Sequence, residues 1–260
     1  MDSSILLNIQ DQVAYIKFNR PKKYNSFNRE MAFNLQNTLD DCIKNDEVRA
    51  IVLTGEGKAF CAGQDLQEIT DPEQNPGFKK ILDDHYNPII TRIRNVEKPV
   101  IAAVNGVAAG AGANIALACD IVVASEEASF IQAFSKIGLI PDSAGTFFLP
   151  RLIGFQRASA LAMLGDKVDA VEAERMGMIY KYFSIETFHE EVESLAKKVS
   201  KMPTKALAYT KKALNKSFNN SLEEQLALES EYQIAAASTE DYEEGVAAFM
   251  EKRKPEFKGK

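Results

Sequence analysis

At 260 residues, 45% hydrophobic and 26% charged, the chain has an ordinary globular composition and enough length for a sizeable core. A formal net charge of −6, with only short basic clusters at Arg20 to Lys23, Lys197–Lys198, Lys211–Lys212 and Lys252 to Lys254, argues against a general nucleic-acid binder. Three cysteines (Cys42, Cys61, Cys119) without metal or CxxC spacing and two distant histidines (His85, His189) argue against a metal site and a Ser-His-Asp triad, and point to reduced thiols in a cytoplasmic setting.

The opening "MDSSILLNIQDQ" lacks the basic leader and apolar core of a signal peptide. "VAYIKFNRP" (13–21) alternates like a strand that Pro21 ends. Residues 28–44 predict a helix, with Asn28 as N-cap and Met31, Leu35, Leu39 and Cys42/Ile43 along one face. "RAIVLTG" (49–55) predicts a short buried strand, "KAFCAGQDL" (58–66) a turn-rich segment, and 70–77 a loop. Residues 79–95 predict a helix interrupted at Pro88.

Residues 100–119 carry no charge and nearly reach the length of a membrane span, but Asn105-Gly106 and Asn114 interrupt them. They read instead as a buried strand, "PVIAAVNG", a turn, and a buried helix, "GAGANIALACD". The strand "IVVAS" follows, and 156–176 predicts helices around the turn at Gly165-Asp166. Beyond Ser184 the pattern becomes helical throughout: 186–201, 203–217, 221–236 and 239–254, punctuated by Pro203 and Asn219-Asn220. Recurring strand–helix–strand units predict an α/β core over residues 1–195, with a C-terminal helical region over 196–260.

Three short stretches carry candidate chemistry. Phe60 to Leu66 follows a strand, and Gly106 to Asn114 opens a helix; both are rich in Gly and Ala, which lets a ligand approach the backbone. Two such turns facing each other would offer two N–H donors to a developing oxyanion. In "GLIPDSAGT" (138–146), Asp142 is either a helix cap or a base facing a cavity.

"NRPKKYNSF", "KAFCAGQDL", "KPVIAAVNGVAAGAGANIALACDIVVAS", "GLIPDSAGTFFLPRLIG" and "AFMEKRKPEFKGK" occur in the order seen in the crotonase, or enoyl-CoA hydratase/isomerase, superfamily, and the resemblance covers nearly the whole chain. It implies a spiral of ββα units, a C-terminal helical trimerisation region, and acyl-CoA thioester substrates. It implies a homo-oligomer, trimer or dimer of trimers, while the acidic balance and the interruptions at Asn105-Gly106 and Asn114 argue against nucleic acid and membrane as partners. No metal and no separate cofactor are implied, because CoA is part of the substrate. By motif position, the resemblance assigns the oxyanion-hole amides to Gln64 and Ala111. It places Lys22, Ala62, Asp65, Leu66 and Gly110 along the acyl-CoA, and Phe249 and Lys252 at a neighbouring subunit's CoA.

Departures from the pattern narrow the reaction. The two glutamates with which hydratases of this superfamily handle water are replaced here by Asn114 and Phe134. Hydration by that route is therefore not expected. Members with aspartate at the Asp142 position use it as a sole base, moving a proton from the α-carbon of the thioester. Asn114 and the segment "QAFSKIGLIPD" resemble the branch that isomerises ring-1,2-epoxyphenylacetyl-CoA to an oxepin-CoA in phenylacetate degradation, with Asn114 offering an amide near the reacting atoms. A Δ3,Δ2-enoyl-CoA isomerase of fatty acyl chains needs the same groups and is the alternative. A dehalogenase is disfavoured because the chain has no Trp and carries Asn87 where that branch has histidine. An inert CoA- or RNA-binding member is the reading from another class, and the acidic balance weighs against RNA.

Overall fold

The computed structural model describes residues 3–73 and 75–260. Strands β1 (Ile5–Gln10) and β2 (Val13–Phe18) form an antiparallel hairpin. Its two-residue turn, Asp11-Gln12, has both φ angles positive, at 52° and 64°, the turn sense that matches strand twist. After a 3₁₀ turn at Pro21–Lys23 comes α1 (Arg29–Lys44), where the Asn28 side chain accepts from the Met31 amide at 3.0 Å. Then follow β3 (Ala50–Gly55), β4 (Ala59–Cys61), α2 (Leu66–Thr70) and α3 (Phe78–Lys80).

From α3 the helix continues through a π-wound segment, Ile81–Tyr86, into α4 (Asn87–Asn95). Pro88 therefore does not break it. The widened turn just before Pro88 absorbs its missing N–H and its ring. Next come β5 (Val100–Val104), β6 (Val107–Ala109), α5 (Ala111–Leu117), β7 (Ile121–Ser125), β8 (Ser129–Ile131) and a 3₁₀ segment, Ala133–Ile137. The chain continues with α6 (Gly145–Ile153), α7 (Phe155–Leu164), β9 (Lys167–Asp169), α8 (Ala170–Arg175) and β10 (Lys181–Phe183). It closes with α9 (Phe188–Ser200), α10 (Thr204–Ser217), α11 (Leu222–Ala237) and α12 (Glu240–Glu251).

Two sheets result, ordered β1-β2-β3-β5-β7-β10 and β4-β6-β8-β9. The pairs β3–β4, β5–β6 and β7–β8 each send one strand to each sheet, and every pairing is parallel except β1–β2 and β8–β9. This stepping is the spiral that the resemblance implied. The region read as helical over 156–176 also contains β9, a strand of only three residues. So short a strand spans barely one alternation and leaves no period in the sequence.

The uncharged stretch 100–119 is accounted for by β5, β6 and α5, with every residue of β5 and α5 buried. Among the described residues no helix is long and apolar enough to cross a membrane. One core lies between the sheets and the helices α1, α4 and α5. A second forms where Phe188, Val192 and Ala196 of α9 cover Val13, Ala50, Val52 and Val123. Residue 195 thus lies inside a helix that packs on the main sheet. The later helices are also tied to the core: Lys211 pairs with Asp120 at 2.8 Å and donates to the Ile93 carbonyl at 2.7 Å.

Candidate active site

The fold brings the two Gly/Ala-rich segments side by side, because β4 and β6 are neighbours in the smaller sheet. The first segment is held along one edge by the chain at 24–27. The Ala62 amide donates to Tyr24 O (2.9 Å), the Phe27 amide to Gly63 O (2.7 Å) and the Asp65 amide to Phe27 O (2.8 Å). In such a parallel bridge both polar groups of Phe27 face residues 63 and 65, so the N–H of Gln64 points the other way. Among the described residues it donates to no protein acceptor.

Gly63 is required here twice over. Its φ is +92°, and a Cβ would stand 2.9 Å from Ala109 O and 3.5 Å from the Ala111 nitrogen. The second segment turns at Gly110, with φ 52° and ψ −127°, conformations open to glycine alone. A Cβ at Gly112 would meet Cys61 O at 2.3 Å, so α5 lies directly on β4. The Ala111 amide, first in α5, likewise has no acceptor among the described residues. Two amides without protein acceptors thus lie on the adjoining loops on either side of Gly63, the donor type that a developing oxyanion needs.

The side chains around Gln64 fix this loop. The Tyr86 hydroxyl donates to Gln64 Oε1 at 2.8 Å, and Gln64 Nε2 donates to Glu68 Oε2 at 2.9 Å. Burial pushes the Tyr86 phenol well above its usual range, so it stays a donor. Asp65 pairs with Arg20 at 2.8 Å and accepts from the Gln67 amide at 3.1 Å, capping α2. Its carboxylate is thus engaged inside the chain. Arg20 lies in the "NRPKK" motif read only for Lys22, and Tyr86 had no local signal at all.

Asp142 sits before α6, but its carboxylate is not the helix cap. That helix starts after Ala144 with no side-chain cap, and only the Asp142 main-chain carbonyl accepts from Gly145, at 2.8 Å. The carboxylate instead accepts from the Ser143 hydroxyl at 2.9 Å. Burial raises its pKa to about 6, and the Ser143 hydrogen bond works in the opposite direction. A group of that pKa is ionised at neutral pH yet holds a proton far better than an exposed aspartate.

Asn114, on α5 and 1% exposed, stands behind Asp142. Its Nδ2 donates to the Asp142 main-chain oxygen at 2.8 Å, and its Oδ1 accepts from Gln132 Nε2 at 2.7 Å. The carbonyl acceptor fixes the orientation of the Asn114 amide, and that in turn fixes Gln132. The amide expected near the reacting atoms thus positions the backbone of the acid; it does not face the carboxylate. Phe134 is buried, with its ring 3.7 Å from where a Cβ of Gly110 would be.

Of the remaining predicted residues, Ala62 and Gly110 belong to the two converging loops, and Lys22 and Leu66 lie exposed on the segments that hold them. Phe249, 82% exposed, and Lys252, just past α12, lie on the surface at the end of the last helix.

The enoyl-CoA hydratase/isomerase family model matches residues 8–260. A 1,2-epoxyphenylacetyl-CoA isomerase of Escherichia coli K12 is 45% identical over 98% of this chain and 98% of its own. A trans-2-decenoyl-[acyl-carrier-protein] isomerase of Streptococcus mutans is 34% identical, again over 98% of each chain. Among solved structures, an enoyl-CoA hydratase from Bacillus anthracis superposes with a TM-score of 0.91 at 32% identity, covering 99% of this chain and 100% of that one.

Proposed function

The chain belongs to the enoyl-CoA hydratase/isomerase family, and on that premise we propose that it is an acyl-CoA isomerase working through an enolate, with ring-1,2-epoxyphenylacetyl-CoA as substrate and an oxepin-CoA as product. The observation that carries this reading is Asp142: a mostly buried carboxylate with its pKa raised to about 6, on the helix entrance that Asn114 ties to the oxyanion loop. The thioester oxygen accepts from the amides of Gln64 and Ala111. The ring C–C bond shared with the epoxide opens, its electrons passing into the double bonds of the seven-membered ring; Asp142 removes a proton from the α-carbon, the negative charge passes to that oxygen, and the acid returns the proton elsewhere on the conjugated system. No water or electron is exchanged, so one base and two donors suffice.

Identity at 45% to a relative named for this isomerisation supports the substrate. The absence of a carboxylate at 114 and 134 supports isomerisation over hydration. A Δ3-to-Δ2 shift of an enoyl-CoA starts with the same proton removal and is the second activity of this site. CoA enters as part of the substrate, and no cofactor or metal takes part. Lys22 and, from a neighbouring subunit, Phe249 and Lys252 complete the CoA site of a cytoplasmic homo-oligomer. Exposed apolar side chains along the last helices, among them Leu222, Ile234, Phe249 and Met250, support that assembly.

The test is turnover of a panel comprising ring-1,2-epoxyphenylacetyl-CoA, 3-enoyl-CoAs and 2-enoyl-CoAs. Isomerisation of the epoxide at the highest kcat/KM is expected. Binding of all three without turnover of any would sink the reading.

A further inference from the structure

We propose that Ser143 is a positioning residue for the base: its hydroxyl, delivered by left-handed backbone, holds Asp142 Oδ1 and stabilises the carboxylate over the carboxylic acid. The proposal deepens the reading of Asp142 as the base and rests on it.

Ser143 and Ala144 are consecutive non-glycine residues with φ of 50° and 60°. Each is strained backbone for a residue with a Cβ, so the pair persists only where its surroundings hold it. Here the Asn114 amide grips Asp142 O on one side and the Gly145 amide donates to the same carbonyl on the other, both at 2.8 Å. This turn buries Ser143 to 2% exposure and sets its Oγ 2.9 Å from Asp142 Oδ1. Among the described residues no other hydrogen bond reaches the carboxylate.

Against the burial that raises the pKa of Asp142, this hydroxyl is the group that favours the carboxylate. From the π-wound segment before α4 comes Tyr86, neutral because burial suppresses its ionisation. Helix α5 packs on α6 with no ionisable residue in Ala111–Leu117. On α6, Arg151 is turned onto the Phe147 ring at 3.6 Å and donates to the Phe147 carbonyl. Lys136, from the 3₁₀ segment, lies against Gly165. Charge compensation for Asp142 is thus absent among these neighbours, and burial alone would keep it protonated to higher pH. The donated hydrogen bond favours the charged form. It also differentiates the two oxygens: Oδ1 is occupied, leaving Oδ2 to take the α-proton.

The experiment compares wild type with Ser143→Ala and Ser143→Gly, the second relaxing the backbone should the first fold poorly. Two readouts are followed against pH. One is deuterium exchange at the α-carbon of phenylacetyl-CoA. The other is the ¹³C carboxyl titration of Asp142, assigned by its absence from Asp142→Asn. Both variants are expected to shift the acidic limb and the titration upward by about one pH unit, the scale of one hydrogen bond to a charged group. Exchange then falls roughly fivefold at pH 6 and hardly at all at pH 8. A purely structural Ser143 would lower stability without moving the titration, and an unmoved titration in folded variants overturns the proposal. Exchange that persists in Asp142→Asn would instead overturn the isomerase reading, while the carboxyl titration still decides the part of Ser143.

Discussion

The side-chain amide of Asn114 donates to the main-chain oxygen of Asp142 at 2.8 Å, and Gly145 leaves the space that this amide fills. A Cβ at 145 would stand 2.2 Å from the same nitrogen. The acid is therefore positioned from α5, the element that also supplies the Ala111 amide. Asn114→Ala is expected to lower isomerase kcat roughly 10–100-fold through misplacement of Asp142. It also orphans Gln132, costing about 1–3 kcal/mol of stability. Gly145→Ala acts in the same direction through the clash. CoA affinity, read by calorimetry, should change little in either variant, and an unchanged kcat would remove the positioning argument.

Asp142→Asn separates catalysis from stability. Loss of the sole base is expected to reduce turnover by about 10²–10⁴-fold. Stability should move the other way. The folded acid holds its proton to about pH 6, against 3.8 for a free aspartate. Between those values the folded state binds more protons than the unfolded one, so this group's contribution to stability falls as pH rises through that window. Removing the charge is therefore expected to stabilise the protein by about 1–3 kcal/mol at pH 8, and by little at pH 4. Thermal melts at the two pH values check the sign.

The pH–rate profile follows from the same group. Only the carboxylate accepts a proton, so kcat/KM should climb through a single ionisation near pH 6 and level off above pH 7. Tyr86 lies well above its ordinary value and adds no basic limb near neutrality. A limb near pH 4 would mean that the acid is solvated in the working enzyme.

Water addition is expected to be weak. With crotonyl-CoA, loss of the conjugated thioester absorbance should be far slower than isomerisation of a 3-enoyl-CoA. Introducing Asn114→Glu should not create a hydratase. It would set an acceptor against the Asp142 carbonyl, in a site 1% exposed, and destabilise the fold.

The tail calls for point variants. Arg49, buried, donates to Phe257 O at 2.6 Å, and Asp241 accepts from the Lys258 and Gly259 amides at 2.6 and 2.8 Å. Deleting 246–260 removes these bonds and should destabilise the chain whatever it does to CoA. Lys252→Ala leaves them intact. It is expected to weaken CoA binding about 2–5-fold at low salt, with the difference fading at high salt. Equal affinity at low salt would take Lys252 out of the CoA site.

Elements whose signal is local and long are legible in the residues alone. Asn28 precedes a helix with four apolar positions at helical spacing, β3 opens with four apolar residues, and β5 is apolar throughout. The sequence also supplied the glycines at 63 and 110, because a positive φ restricts the choice of residue at the position itself. Tertiary structure decided the rest. Strands β4, β6, β8, β9 and β10 have three residues each, too few for a period, and form because neighbouring strands complete their hydrogen bonds. Asp142 before Ser-Ala-Gly reads locally as a cap or a base; Asn114, 28 residues earlier, holds its main-chain oxygen, and burial raises the pKa of its carboxyl. Arg20, Tyr86, Gln132 and Ser143 are ordinary residue types whose partners lie across loops or in an unusual turn. A hydrogen bond between distant segments depends on where the packed core brings them, and that position is a property of the whole fold.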